Sequence, residues 1–198
     1  MRHTHLILWT LVLASGCSSG PGVRLGSTYF PLYEGARWIY SVSSGGTAEI
    51  LMEGQGDSTY HTAINGVPYL FQRLPDGIYN IKDEYQTING EKIEFGTFYE
   101  FYLPDPPIDG TVVEDSILST KFYYGDTLRF LFKYRIGVHY TGNMKVGDNL
   151  FHEVYRVTRM EIRNSDTLTT TEWYAPEIGL IKREEGEDIW EIREWLLP

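Results

Sequence analysis

Tyr60-His61-Thr62-Ala63-Ile64-Asn65-Gly66-Val67-Pro68-Tyr69-Leu70-Phe71-Gln72 decides the fold class. Two β-rich runs, Tyr60–Ile64 and Val67–Gln72, are joined by Asn-Gly. Both central residues of a type I′ turn need positive φ, which Asn tolerates and Gly adopts freely, so this dipeptide marks a two-residue hairpin. The same device recurs a little further on, where Asn89-Gly90 joins Glu84–Ile88 to Glu91–Phe95.

Outward from these hairpins, period two persists. Trp38, Tyr40 and Val42 fall on one face of a strand, and Ala48, Ile50 and Met52 fall on the face opposite Glu49 and Glu53. Ser43-Ser44-Gly45-Gly46 between them is a turn signal. Leu128, Phe130, Phe132 and Tyr134 alternate with Arg129, Leu131, Lys133 and Arg135. Phe151–Arg163 and Thr167–Tyr174 flank Asn164-Ser165-Asp166. Gly179–Arg183 and Ile189–Trp195 flank an acidic turn, Glu184-Glu185-Gly186-Glu187. Three prolines between Pro104 and Pro107 cannot donate ladder hydrogen bonds, so Pro104–Gly110 is a loop.

No run of three helical turns interrupts this pattern after the N-terminal segment. The reading is therefore all-β: a strongly curved antiparallel meander or half-barrel of ten to twelve strands, with little helix. Residues 28–198 are expected to form one domain. Several strands carry apolar residues on both faces, as in Phe98-Tyr99-Glu100-Phe101-Tyr102-Leu103. A curved sheet gives both faces something to cover.

The N-terminus carries Arg2 and then an apolar run from Leu6 to Ala14. A membrane-spanning helix needs roughly twenty such residues, so this shorter run reads as an export signal. Leu13-Ala14-Ser15-Gly16-Cys17 resembles a bacterial lipobox, with Ala14 where leucine is usual. The resemblance implies a signal peptide over residues 1–16, removed so that Cys17 becomes the acylated N-terminus. Residues 17–27, which include Ser18-Ser19-Gly20-Pro21-Gly22, read as a flexible tether. Cys17 is the single cysteine, so no disulfide framework exists within the chain. Two or more palmitate-type chains make a stable anchor. Ser18 after the cysteine, by resemblance to sorted lipoproteins of double-membraned bacteria, favours the outer membrane.

Composition excludes other roles. The chain of 198 residues has formal charge −10, which argues against holding a phosphate backbone, and no nucleic-acid partner is expected. No phosphate-cradling glycine loop, nucleophile elbow or metal-ligand spacing is present. His61, His139 and His152 are scattered, so no metal and no cofactor is expected. No catalytic residue is assigned. Asp105 and Asp109 flank the proline loop, and they and the acidic turn read as solvated charge.

Two aromatic motifs bracket the chain. Tyr29-Phe30-Pro31-Leu32-Tyr33-Glu34-Gly35-Ala36-Arg37-Trp38-Ile39-Tyr40 is similar to the YFPL-x-x-G-x-x-W-x-Y opening of a broad group of uncharacterised bacterial lipoproteins and secreted proteins. Trp173-Tyr174-Ala175-Pro176-Glu177-Ile178-Gly179-Leu180-Ile181-Lys182 resembles the closing W-Y-A-P-x-[IV]-G-L-[IV]-K of that group. The resemblance implies a curved antiparallel sheet, distantly like the half-barrels of lipoprotein-carrier and lipoprotein-receptor proteins. It implies no activity and no catalytic residues.

With aromatics at 15%, the surplus suggests a ligand-facing set in Trp38, Tyr40, Phe130, Phe132 and Trp173. The expectation is a non-enzymatic envelope protein, held at the membrane by acyl chains, that binds an apolar ligand or a partner protein. The alternatives are a purely structural lipoprotein with a packed core and an enzyme acting on glycans.

Overall fold

The computed structural model describes residues 28–56 and 59–198. The signal peptide, Cys17 and the tether lie outside the described residues. Twelve antiparallel strands form one nearly closed, barrel-like sheet, with no helix among the described residues. They are β1 (Arg37–Val42), β2 (Thr47–Gln55), β3 (Thr59–Ile64), β4 (Val67–Leu74), β5 (Gly77–Ile88), β6 (Glu91–Leu103), β7 (Val112–Tyr123), β8 (Asp126–Val146), β9 (Asn149–Arg163), β10 (Asp166–Ala175), β11 (Gly179–Glu185) and β12 (Asp188–Leu196).

The sheet order is β6-β5-β4-β3-β2-β1-β12-β11-β10-β9-β8-β7. The chain therefore runs out along one arm, crosses to the other at the proline loop, and meanders back. β12 pairs with β1 from Arg37↔Leu196 to Val42↔Trp190, which joins the two arms into one sheet. The Asn-Gly turns adopt the backbone their sequence demands, with φ of 50° at Asn65 and 52° at Asn89, and Asn164 before Ser165 takes 55°.

β6 and β7 are the two sheet edges and face each other. Side chains lace them together. Ser119 Oγ donates to the Phe95 carbonyl at 3.0 Å, and Tyr123 Oη donates to Glu91 at 2.6 Å. Deeper in, Phe101 N donates to Tyr134 Oη at 3.3 Å, and the Arg159 guanidinium donates to the Phe101 and Tyr102 carbonyls. A bare edge invites pairing with another chain, and this lacing covers part of it.

Strand parity orders the two ends. The turns β1–β2, β3–β4, β5–β6, β7–β8, β9–β10 and β11–β12 all fall at one end, the mouth. The other connections, the start of β1 and the end of β12 fall at the base. Residues 28–36 fold into that base as a plug. Tyr29 is buried, stacks edge-on against Tyr155, and donates its hydroxyl to the Glu153 carbonyl. Phe30 packs on Phe71 and Tyr102. Asp105 accepts from Tyr29 N at 3.0 Å and from Thr28 Oγ1 at 3.1 Å, and it pairs with Arg73. The Pro104–Gly110 loop thus staples the plug; Asp105 is a structural anchor and not solvated charge.

Inward side chains of the base half are apolar: Trp38, Ile78, Leu103, Val138, Tyr155 and Leu180 are all buried. Burying each aromatic removes about 150–250 Å² from water, so this half carries most of the hydrophobic stabilisation. Above it the inward positions change character.

Candidate functional site

The mouth half of the lumen is charged. Register explains how. On β8 and β9, Phe132 lies opposite Arg163, Tyr134 opposite Glu161, and Ile136 opposite Arg159, all on the inward face. On the next pairs, Arg159 is opposite Thr170, and Glu172 is opposite Arg183. From the other arm, Asn80 lies opposite Glu100 on β5 and β6, with Lys82 and Glu84 further toward the mouth.

These groups form one ionic network. Lys82 Nζ lies 2.5 Å from Glu100 Oε2 and 3.8 Å from Glu84 Oε1. Arg159 Nη1 is 3.2 Å from Glu100 Oε1, with both side chains almost wholly buried. Arg163 bridges Glu84 at 3.1 Å and Glu161 at 3.3 Å. Arg183 pairs with Glu172 at 3.7 Å and with Glu185. Cations also lie over rings: Arg159 over Tyr102 at 4.3 Å, and Lys82 over Phe132 at 4.5 Å.

Burial and neighbours split the carboxyls. Burial first, and then the charge of Glu100, push Glu161 above the ordinary glutamate value. Burial alone would raise Glu100 too, but Arg159 and Lys82 pull it below that value. Burial and the Glu172 carboxylate raise the phenols of Tyr102 and Tyr174, which stay neutral. Tyr174 Oη donates to Glu172 at 2.8 Å.

Within this network is a cavity of about 220 Å³. Phe71 and Tyr102 form its floor, and Arg159, Thr170 and Glu172 form one wall. Asn80, Lys82 and Glu100 form the opposite wall, with Ile64, Tyr69 and Leu168 at the rim. Tyr69 stacks on Phe71, with the rings 11° apart in plane and centroids at 6.3 Å. Two buried polar atoms facing this region have no hydrogen-bond partner among the described residues, Asn80 Oδ1 and Arg183 Nε. Asn80 is 7% exposed.

The five aromatics singled out by sequence do not meet here, and none lines the cavity. Trp38 is buried at the base, where Nε1 donates to the Ile178 carbonyl at 2.6 Å. Tyr40 is buried beside it and donates to the Leu180 carbonyl at 3.0 Å. Phe130 packs against Phe95 and Phe98 at the seam, and Phe132 is buried under Lys82 and Arg163. Trp173 is half-buried on the face opposite Glu172 and Tyr174, with Lys182 over its ring at 5.2 Å. The charged lumen residues escaped sequence reading. Their one signal is parity: Arg159, Glu161 and Arg163 continue the face begun by Tyr155 and Val157.

An all-β, nearly closed barrel with a charged inner mouth is the class that fold and site define. No family model matches the chain, and no curated protein matches it. Among solved structures, it is similar to the crystal structure of the hypothetical lipoprotein YmcC from Escherichia coli (K12). The two share 11% identity over 82% of this chain and 84% of that one, with a TM-score of 0.37.

Proposed function

We propose that this chain is a lipid-anchored protein of the cell envelope that works by binding and not by catalysis, with the lumen mouth as its binding site. The anchor rests on Leu13-Ala14-Ser15-Gly16-Cys17 behind a short apolar run, and Ser18 favours the outer membrane. The observation that carries the binding reading is the cavity of about 220 Å³ into which buried, unpartnered polar atoms face. A buried polar atom without a partner costs roughly 1–3 kcal/mol, so a ligand that satisfies it gains that much. The lumen favours a small polar ligand over the apolar one that the aromatic surplus suggested, because those aromatics are already packed against protein.

Glu100 and Glu161 superficially suit an acid–base pair, one carboxyl raised and one lowered. Here, however, Arg159 at 3.2 Å and Lys82 at 2.5 Å clamp Glu100, so its carboxylate is already engaged by cations of the chain. A partner protein is the second reading, favoured by Leu118, Phe122 and Tyr124, which stand exposed on the β7–β8 hairpin.

The anchor is tested by expressing the full chain in a double-membraned bacterium fed radiolabelled palmitate. Wild type is expected to carry label and sediment with the outer membrane. Cys17→Ala is expected to lose both. Label or membrane retention in Cys17→Ala overturns the anchor.

A further inference from the structure

We infer that the lumen mouth takes a neutral, hydroxyl-rich ring, the chemistry of a single saccharide unit, and this rests on the lumen-binding reading above. Four observations point there.

The first is charge. Every cation of the cavity wall has a carboxylate within 4 Å: Lys82 with Glu100, Arg159 with Glu100, Arg163 with Glu84 and Glu161, Arg183 with Glu172 and Glu185. An anionic or cationic ligand would have to compete with these internal partners in a site of low dielectric. A neutral ligand disturbs none of them.

The second is hydrogen bonding. Asn80 Oδ1 lacks a donor and Arg183 Nε lacks an acceptor. A ligand that satisfies both must donate and accept, which a hydroxyl does at one atom and a row of ring hydroxyls does at several. An amine alone or a carboxylate alone satisfies only one of the two.

The third is the platform. Tyr69 is 37% exposed at the rim, and its ring is held parallel to Phe71 beneath it. The C–H face of a sugar ring lies flat on such a surface while its hydroxyls point to the polar wall. The fourth is size. The cavity of about 220 Å³ has room for roughly seven waters at about 30 Å³ each. That volume suits one ring with its substituents, and it lies below the range of drug-sized ligand pockets.

The test is saturation-transfer NMR on the folded chain with glucose, galactose, N-acetylglucosamine and its disaccharide, each offered against glucuronate and glucosamine as charged controls. At least one neutral sugar is expected to receive saturation, at ring protons first, and to bind at least tenfold tighter than either charged control. Asn80→Leu, which removes the acceptor, is expected to weaken binding at least tenfold. Because Asn80 is buried, Leu168→Trp at the exposed rim provides a second variant that blocks entry without opening the core.

Tighter binding of the charged sugars overturns the proposal, as does neutral-sugar binding that neither variant weakens. If no sugar binds, a thermal-shift panel of free amino acids, glycerol and inorganic phosphate separates the two failures. A shift abolished by Leu168→Trp overturns the saccharide and keeps the lumen as a site. No shift with any of them overturns both.

Discussion

Glu161 shows what a single buried carboxyl costs. It is held above the usual glutamate value, first by burial and then by the charge of Glu100. A carboxyl raised in the folded state binds its proton more tightly there than in the unfolded chain. It therefore stabilises the fold below the ordinary value of 4.5, and that contribution is lost as pH rises through the folded value. Glu100 runs the other way: Arg159 and Lys82 outweigh its burial, so its contribution stands above the ordinary range and is lost on acidification. Glu161→Gln removes the first effect and leaves the second. Urea unfolding at about pH 5 and about pH 8 should show wild type losing more stability over that interval than Glu161→Gln. Equal losses in the two proteins would mean that Glu161 titrates as an ordinary surface glutamate. Arg159, bonded to Glu100 and to two carbonyls of the β6 edge, does two jobs at once. It neutralises a buried charge, and it ties the sheet edge to the opposite arm.

At the scale of elements, the closing turn between β10 and β11 repays attention. Gly179 has φ +93°, and a Cβ there would meet Pro31 Cδ of the plug at 3.0 Å. Gly179→Ala therefore strains the backbone and pushes on the plug together, with an expected loss of about 1–3 kcal/mol. For a domain of this length each kcal/mol lowers the melting temperature by roughly 2–4 °C, which differential scanning calorimetry resolves. An unchanged melting temperature would show that the turn relaxes freely. The sequence announced the Asn65-Gly66 and Asn89-Gly90 hairpins, because a positive φ leaves a chemical trace in Gly and Asn. It also placed Trp38, Tyr40, Ala48, Ile50 and Met52 on buried faces, since alternation records which side of a strand is apolar. β7 left no such trace. Its apolar residues come in adjacent pairs, Val112-Val113, Ile117-Leu118 and Phe122-Tyr123, so no alternation marks it, although its partly covered residues Val113, Ile117, Ser119 and Tyr123 share one face. The charged lumen was hidden for a related reason. Alternation sorts residues to two faces, but it does not say that Arg159 and Glu172 lie inside a nearly closed sheet. Only pairing across strands far apart in the chain brings Arg159 within reach of Glu100 and sets Glu172 in the lining of the same cavity.

The whole molecule is a barrel filled from below. Residues 28–36 precede the first strand, yet Tyr29, Pro31, Leu32 and Ala36 are buried in the core, Tyr29 to 2% exposure. Tyr29→Ala is expected to cost about 3–5 kcal/mol, as large-to-small changes of buried aromatics do. Chemical denaturation followed by tryptophan fluorescence reads this directly. A loss under about 1 kcal/mol would place the segment with the tether and not with the fold. Because the plug and the lower aromatics pack against each other, the base is closed by the same residues that hold the two arms together, and the upper lumen is left to its charged side chains.

An even number of strands brings a meandering chain back to the side from which it set out. Pro198 follows β12 and so emerges beside the plug, on the rim opposite the six hairpin tips. Under the proposed anchor at Cys17, a fluorescent protein appended after Pro198 would crowd the base and leave the mouth clear. An epitope spliced into Asn65-Gly66 or Ser165-Asp166 would stand guard over it. Two reporters whose accessibility to antibody differs thus test which end of the barrel faces outward.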